Sequence, residues 1–265
     1  MPTGSTLISG ASSGIGRALA LSYAEPGMRL AITGRNQGRL DQVAAQCRSR
    51  GADVVTASLD VRQRDSLDDW IRSIDDQRPI DLVIANAAVA SGLGSERWRE
   101  DPDKVRAVIA INLIGLLNTI DPLVERMGAR RRGHIALIGS LGGIRGAPYM
   151  PAYCASKAAV HIYAEALRGS LRPRGVTVTL VVPGYVATPM LDGVTSPKRP
   201  FEMSDIRAAS IIRSGLDRRR TLIALPRVVY YGTHLLRMLP SAWLDRLFNA
   251  LDVDVPETKE QAIDP

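Results

Sequence analysis

Tyr153 and Lys157 stand four residues apart in the stretch "YCASK", shortly after "IGSLGG". On a helix that spacing places both side chains on one face. A phenol with its ordinary pKa of about 10 is a poor proton shuttle at neutral pH. A neighbouring cation favours the phenolate and pulls that pKa down. The pair has the makings of a general acid/base, and equally of an ordinary surface contact. The rest of the chain decides between them.

A second stretch carries chemistry of another kind. "SGASSGIG", Ser9 to Gly16, places Gly10, Gly14 and Gly16 between an apolar run and a helical pattern. Glycines let a backbone turn tightly and approach a pyrophosphate, and a helix N-terminus offers unpaired N–H groups with partial positive charge. At the end of the next apolar run an acid would bind a ribose 2′-hydroxyl. The sequence there reads "TGRN", and Arg35 suits a 2′-phosphate through charge-assisted hydrogen bonds. NADP(H) is therefore the favoured cofactor, with NAD(H) the alternative.

These residues need elements to position them. Short apolar runs at residues 6–9, 29–33, 53–59, 81–86, 134–139, 177–182 and 221–225 read as strands. Helical patterns cover residues 15–24, 37–50, 63–77, 103–129 and 153–171. Such alternation predicts βαβ units around a parallel sheet, a Rossmann-like doubly wound α/β fold of about seven strands with helices on both faces. One domain over residues 1–265 is expected. Pro189, Gly193, Pro197 and Pro200 mark residues 188–204 as a substrate lid. Residues 226–265 form a C-terminal extension in which Leu235, Leu239, Trp243, Leu247 and Leu251 recur every four residues, with Leu236, Leu244 and Phe248 widening the stripe. Pro240 starts or kinks its last helix. The stripe suits a helix capping the sheet, a subunit contact, a substrate-gating segment or a peripheral membrane contact.

Composition narrows the function classes. The 265 residues carry a formal net charge of +7 and 45% hydrophobic residues. The arginines are scattered, with short clusters at residues 129–132 and 217–220, and no basic patch is interleaved with aromatics. No nucleic-acid partner is expected. Cys47 and Cys154 form neither a disulfide framework nor a metal-ligand pattern, and His134, His161 and His234 make no metal or triad pattern. No metal is expected, and His134 reads as structural. No secretory signal and no apolar run of 18 residues is read, so a cytoplasmic protein without a membrane span is expected.

Taken in order, Gly10-x3-Gly14-x-Gly16, Asn86-Ala87-Ala88, Asn112, Ser140, Tyr153-x3-Lys157 and Pro183-Gly184 resemble the short-chain dehydrogenases/reductases, in their shorter single-domain branch. The resemblance covers about Thr6 to Met190. It implies that Tyr153 is the general acid/base of a carbonyl/alcohol interconversion. Lys157 would lower the Tyr153 pKa and bind the nicotinamide ribose. Ser140 would orient the substrate oxygen, and Asn112 would hold a water of a proton relay. Ser12, Ser13 and Ile15 belong to the phosphate loop with its glycines. Asp60 and Val61 would lie by the adenine. Asn86, Ala87 and Ala88 would fix the cofactor near the central strands, and Pro183, Gly184, Val186 and Thr188 would flank the nicotinamide. A homodimer or homotetramer through the two long helices is also implied.

The chain departs from that family pattern in three places. Ser9 replaces the commoner threonine, Ala88 a glycine, and "IGS" the commoner "ISS" before the active serine. Met190, Leu191, Phe201, Met203 and Leu235 suggest a fairly apolar small-molecule substrate. The alternative function is a dinucleotide-binding sensor or interaction protein without turnover. A sugar-nucleotide epimerase or dehydratase shares Tyr-x3-Lys but has another glycine spacing and a larger C-terminal domain.

Overall fold

The computed structural model describes residues 4–93, 98–192, 199, 201–240, 242–244, 246 and 255. In chain order its strands are β1 (Ser5–Ser9), β2 (Arg29–Thr33), β3 (Asp53–Ala57), β4 (Leu82–Ala85), β5 (Gly133–Ile138), β6 (Val176–Pro183), β7 (Val186–Ala187), β8 (Met203–Ser204) and β9 (Leu222–Leu225). The helices are α1 (Gly14–Tyr23), α2 (Gln37–Ser49), α3 (Arg64–Gln77), α4 (Pro102–Ile109), α5 (Gly115–Ala129), α6 (Pro151–Leu171), α7 (Asp205–Asp217) and α8 (Arg227–Leu236).

Seven strands form one parallel sheet in the order β3-β2-β1-β4-β5-β6-β9, as the alternation predicts. β1, β4 and β5 are buried along their whole length. That is the pattern of a sheet covered on both faces. One core lies under α1, α2 and α7, built on Leu19, Leu40, Ile212 and their neighbours. The other lies under α3, α5 and α6, built on Leu67, Ile120 and Val160. The strand order reverses between β1 and β4. Ligands of such sheets bind in the crevice that this reversal opens at the carboxyl ends of the strands.

The long helical region starts at Pro102, behind an Asp101 cap that accepts from the Asp103 N–H at 2.8 Å. It is not a uniform α-helix. Residues 110–114 form a π-turn, in which the Gly115 N–H reaches back to the Ala110 carbonyl. Contrary to the sequence expectation, the stretch Pro102–Ala129 is long and apolar enough to cross a membrane, with a mean hydropathy of 1.8 over its best window. Some 61% of that window is buried inside the protein, and packing against the sheet and α3 accounts for its apolar character.

Residues 188–204 are not wholly irregular. They open with a 3-10 turn at Pro189–Leu191 and end in β8, which pairs with β7. Gly193, Pro197 and Pro200 lie outside the described residues. α7 was not expected. Ser204 caps it by accepting the Arg207 N–H, and Ala208, Ile212 and Leu216 bury one face against α1 and the sheet. Burying Ile212 and Leu216 is worth about 1.5–3 kcal/mol each. The apolar stripe of the tail is broken up: α8 stops at Leu236, residues 242–244 are helical just after Pro240, and Leu247, Phe248 and Leu251 lie outside the described residues. Leu235 and Trp243 are exposed while Leu244 is buried.

Candidate functional site

The Gly-rich loop joins β1 to α1 at the reversal point. Gly10 has φ +67° and Gly14 has φ +53°, a left-handed backbone that favours glycine. Gly16 has a different reason. A Cβ there would run into the Gly10 carbonyl oxygen, so its absence lets α1 pack directly on the loop. Ser13 stands at the N-cap of α1 without a side-chain capping bond, and the first turn holds no acid. The N–H groups of that turn are thus not neutralised by the helix's own side chains, as a diphosphate requires. The cradle fits a dinucleotide.

The floor of the cradle is pinned from β4. The Asn86 side chain donates to the Ser9 and Gly10 carbonyls at 3.0 and 3.1 Å. The Ser9 hydroxyl accepts the Asn86 and Ala87 N–H groups at 3.1 and 3.3 Å, so replacing threonine by serine keeps the needed atom. Ala88 carries no positive φ, and its extra methyl imposes no backbone strain. On the other side Thr188 lies over Gly14, where a Cβ would come 3.1 Å from its Cγ2. Pro183 ends β6, the Gly184 N–H donates to Leu225 O at 2.8 Å, and Val186 is buried. The loop after β6 is thereby drawn up to the phosphate loop.

At the end of β2, Gly34 packs on Ser12, whose Oγ would be 3.1 Å from a Cβ at that position. Arg35 follows, and its guanidinium lies 3.7 Å from Asp60. Burial pushes the Asp60 carboxyl up, yet hydrogen bonds from Arg62 together with both guanidinium charges hold it below the usual range. Val61 is buried against Gly115 and Asn118, whose side chain donates to the Val61 carbonyl at 2.9 Å. Arg35, Asp60 and Ser12 therefore share one rim of the crevice.

The catalytic candidates converge at the ends of β5 and α6. Ser140 starts a 3-10 turn, its Oγ accepting the Gly142 N–H at 3.1 Å. Its hydroxyl faces the Tyr153 phenol and pulls the phenol pKa down. Lys157 is buried, with Nζ 5.9 Å from the Tyr153 ring centre and donating to Ile138 O at 2.9 Å. Burial pulls the Lys157 pKa down to about 8. The expected lowering of the Tyr153 pKa is not found. Burial raises it, and the nearby Ser140 hydroxyl offsets only part of that rise. Removing the phenolate from water outweighs the help of one neutral hydroxyl.

Asn112 sits in the π-turn, fully buried. Its side chain accepts the Val89 N–H at 2.8 Å and donates to Val89 O at 2.9 Å and Ser156 Oγ at 3.1 Å. The side chain is a clamp between the β4 loop and α6. π-turns inside helices recur at functional sites.

Some residues of the site gave no sequence signal. Glu100 accepts the Ala152 N–H at 2.8 Å and so caps the helix that carries Tyr153. His161 accepts the Ser140 N–H at 3.3 Å. Cys154 is buried and accepts the Ala147 N–H, and His134 pairs with Thr179 at 2.7 Å, both as packing residues. Of the apolar candidates for the substrate, Met203 packs on the core beside α7 and Leu235 is exposed on α8. A cavity of about 730 Å³ lies behind the Ser140–Gly143 turn, between α6 and α8, and Ser140, Tyr153 and Lys157 do not line it. Among the described residues no cluster of His, Cys, Asp and Glu could hold a metal ion.

Comparison with known proteins agrees with this geometry. The family model described as short chain dehydrogenase matches residues 5–199. An uncharacterised oxidoreductase of Myxococcus xanthus is 34% identical over 242 residues, covering 90% of this chain and 94% of that one. A 3-dehydrosphinganine reductase of Arabidopsis thaliana is 35% identical over 77% of this chain and 60% of its own. Among solved structures, a short-chain dehydrogenase from Sphingobium yanoikuyae in complex with NADPH is 25% identical, with a TM-score of 0.75 over 93% of both chains. One from Burkholderia phymatum in complex with NAD has a TM-score of 0.79 over 89% of this chain and 94% of that one; at 22% identity it is a likeness of fold.

Proposed function

Because the chain belongs to the short-chain dehydrogenase family, we propose that it is an NADP(H)-preferring reductase or dehydrogenase interconverting a carbonyl and an alcohol on a small apolar molecule. That it is an oxidoreductase dependent on a nicotinamide dinucleotide follows from the family. The observation that carries the rest is the grouping of Ser140, Tyr153 and a buried Lys157, whose Nζ lies 5.9 Å from the Tyr153 ring centre.

When bound, the cofactor supplies or accepts the hydride. This chain's residues orient the partner and manage the proton. A carbonyl turning into an alkoxide needs a proton and a donor close by. Tyr153 gives the proton and Ser140 holds the oxygen in line. In the reverse direction Tyr153 takes the proton from the alcohol. Lys157 charges the floor below the phenol, and Asn112 keeps α6 and the β4 loop in register. Gly10, Ser12, Ser13, Gly14, Ile15 and Gly16 hold the diphosphate. Asn86, Ala87 and Ala88 stand beside it, Asp60 and Val61 lie by the adenine, and Pro183, Gly184, Val186 and Thr188 flank the nicotinamide.

Support for NADP(H) comes from Arg35 at the end of β2, where a 2′-phosphate would lie and where the stretch "TGRN" carries no acid, the facing carboxylate of Asp60 being 3.7 Å from the guanidinium. Titration of the purified protein with NADPH and NADH tests it. NADPH should bind at least tenfold tighter, and Arg35→Ala should remove most of that advantage. Equal or tighter NADH binding would overturn the role of Arg35. Residues 188–204 act as the substrate lid. The protein assembles as a homodimer or homotetramer through α5 and α6, and its free thiols suit a cytoplasmic setting.

A further inference from the structure

We propose that His161 is a positioning residue of the active site, holding the Ser140 turn from behind by accepting the Ser140 backbone N–H at Nε2. The distance is 3.3 Å, and His161 is buried. It lies one helical turn beyond Lys157 on α6, so Tyr153, Lys157 and His161 form one stripe facing the turn.

The turn is built around the imidazole. A Cβ at Gly139 would come within 2.5 Å of Nε2 and 2.7 Å of Cδ2. A Cβ at Gly143 would come within 2.9 Å of Cε1 and 2.7 Å of the Lys157 backbone. Neither glycine has a positive φ, so space and not backbone conformation demands them. This accounts for "IGS" where serine is commoner before the active serine. A side chain at residue 139 and an imidazole at residue 161 compete for one volume, and this chain has settled on the ring.

An Nε2 that accepts must be unprotonated, which fixes the neutral ring with its proton on Nδ1. The groups around the ring agree. Lys157 and Glu165 share its helix, Tyr230 and His234 come from α8 and Arg237 from its C-cap, and Arg145 and Cys154 line the same cavity. Burial first, then the charges of Lys157 and His234, bring the His161 pKa to about 4, against a smaller upward pull from the Ser140 bond. At neutral pH the acceptor is in place. The ring sets the backbone of Ser140, and the backbone sets where the hydroxyl that faces Tyr153 points.

The inference rests on Ser140 orienting the reacting oxygen, and the test separates the two. Protein labelled with 15N-histidine has only His134, His161 and His234 to assign. His161 should show the Nδ1–H tautomer with an acceptor Nε2; an Nε2–H tautomer overturns the clamp whatever the enzyme does. In turnover with NADPH and acetophenone as the reference of an aryl-ketone panel, His161→Leu should lower kcat about 10- to 100-fold with NADPH affinity unchanged. His161→Gln, whose amide oxygen reaches the same N–H, should recover most of that loss. Equal loss in both variants, or none in leucine, overturns the positioning role. Absence of turnover in the wild type with NADPH bound would sink the reductase reading instead, and the tautomer would still decide the clamp.

Discussion

Lys157 is an ammonium held out of water, and the strain of keeping it there is measurable without any substrate. Its pKa falls from 10.5 to about 8 through burial, which corresponds to about 3 kcal/mol of preference for the neutral form. Lys157→Met removes the charge and forfeits the bond to Ile138 O, worth about 1 kcal/mol. The variant should abolish turnover and yet be more stable at pH 7 by about 1–2 kcal/mol, raising Tm by about 3–6 °C. Between about pH 8 and 10.4 the unfolded lysine binds more protons than the folded one, so wild-type stability rises with pH in that window. The advantage of the methionine should therefore shrink at pH 9.5, and a constant difference in Tm would contradict the buried charge. Tyr153→Phe tests the neighbouring role. It should lower kcat about 1000-fold while NADPH affinity, read by fluorescence titration, stays within about threefold. A variant that keeps turning over would remove Tyr153 as the acid/base. At this scale Tyr153, Lys157, Ser140 and the glycines were legible because their types and spacing lie within short stretches. His161 and Glu100 were not, because each acquires meaning only beside a residue that the fold brings from 21 or 52 positions away.

Elements convert those residues into a geometry, and the π-turn at residues 110–114 does so most directly. It presents Asn112 to Val89 and Ser156 at once, tying the β4 loop, which underlies the cradle, to α6, which carries Tyr153. Asn112→Ala would leave the Val89 backbone groups without their partner inside the protein. The expected cost is about 2–4 kcal/mol, a fall in Tm of about 5–12 °C, together with weaker NADPH binding. Retained Tm with lost kcat would show instead that Asn112 acts in the chemistry and not in the scaffold. The seven-strand sheet was legible because its apolar runs alternate with helical patterns. The π-turn was hidden because the run "VIAINLIGLLNTI" is apolar on nearly every side, so no change of period marks the inserted residue. α7 did leave signals, with Ser204 as cap, Asp205 in the first turn and Ala208, Ile212 and Leu216 at helical spacing. The prolines before it drew residues 188–204 into a loop reading, and the small Ala208 and Ala209 give little contrast to mark the helix that follows.

For the whole molecule, exposed apolar residues on the helices of the candidate site bear on assembly. Ile114, at the end of the π-turn, is 46% exposed, and Ile162, on α6, is 67% exposed. Single exposed apolar residues are common on protein surfaces, but these two lie on the elements that carry Asn112 and Tyr153. A second copy of the chain packing there would bury them and stiffen the scaffold around the active site. A C2 interface is self-complementary, so one substitution strikes it twice. Ile162→Glu should therefore reduce the mass measured by light scattering from two or four chains to one, and make Tm lower and less dependent on protein concentration. Residues Leu235, Met238 and Trp243 offer the other route to assembly, since they too are exposed. Were the tail the contact, Ile162→Glu would leave the mass unchanged. The helical interface would then be withdrawn in favour of one made by α8 and the residues after it. Because α8 also lines the cavity behind His161, such an interface would sit close to the Ser140 turn, and its loss would register in kcat before it registered in NADPH affinity.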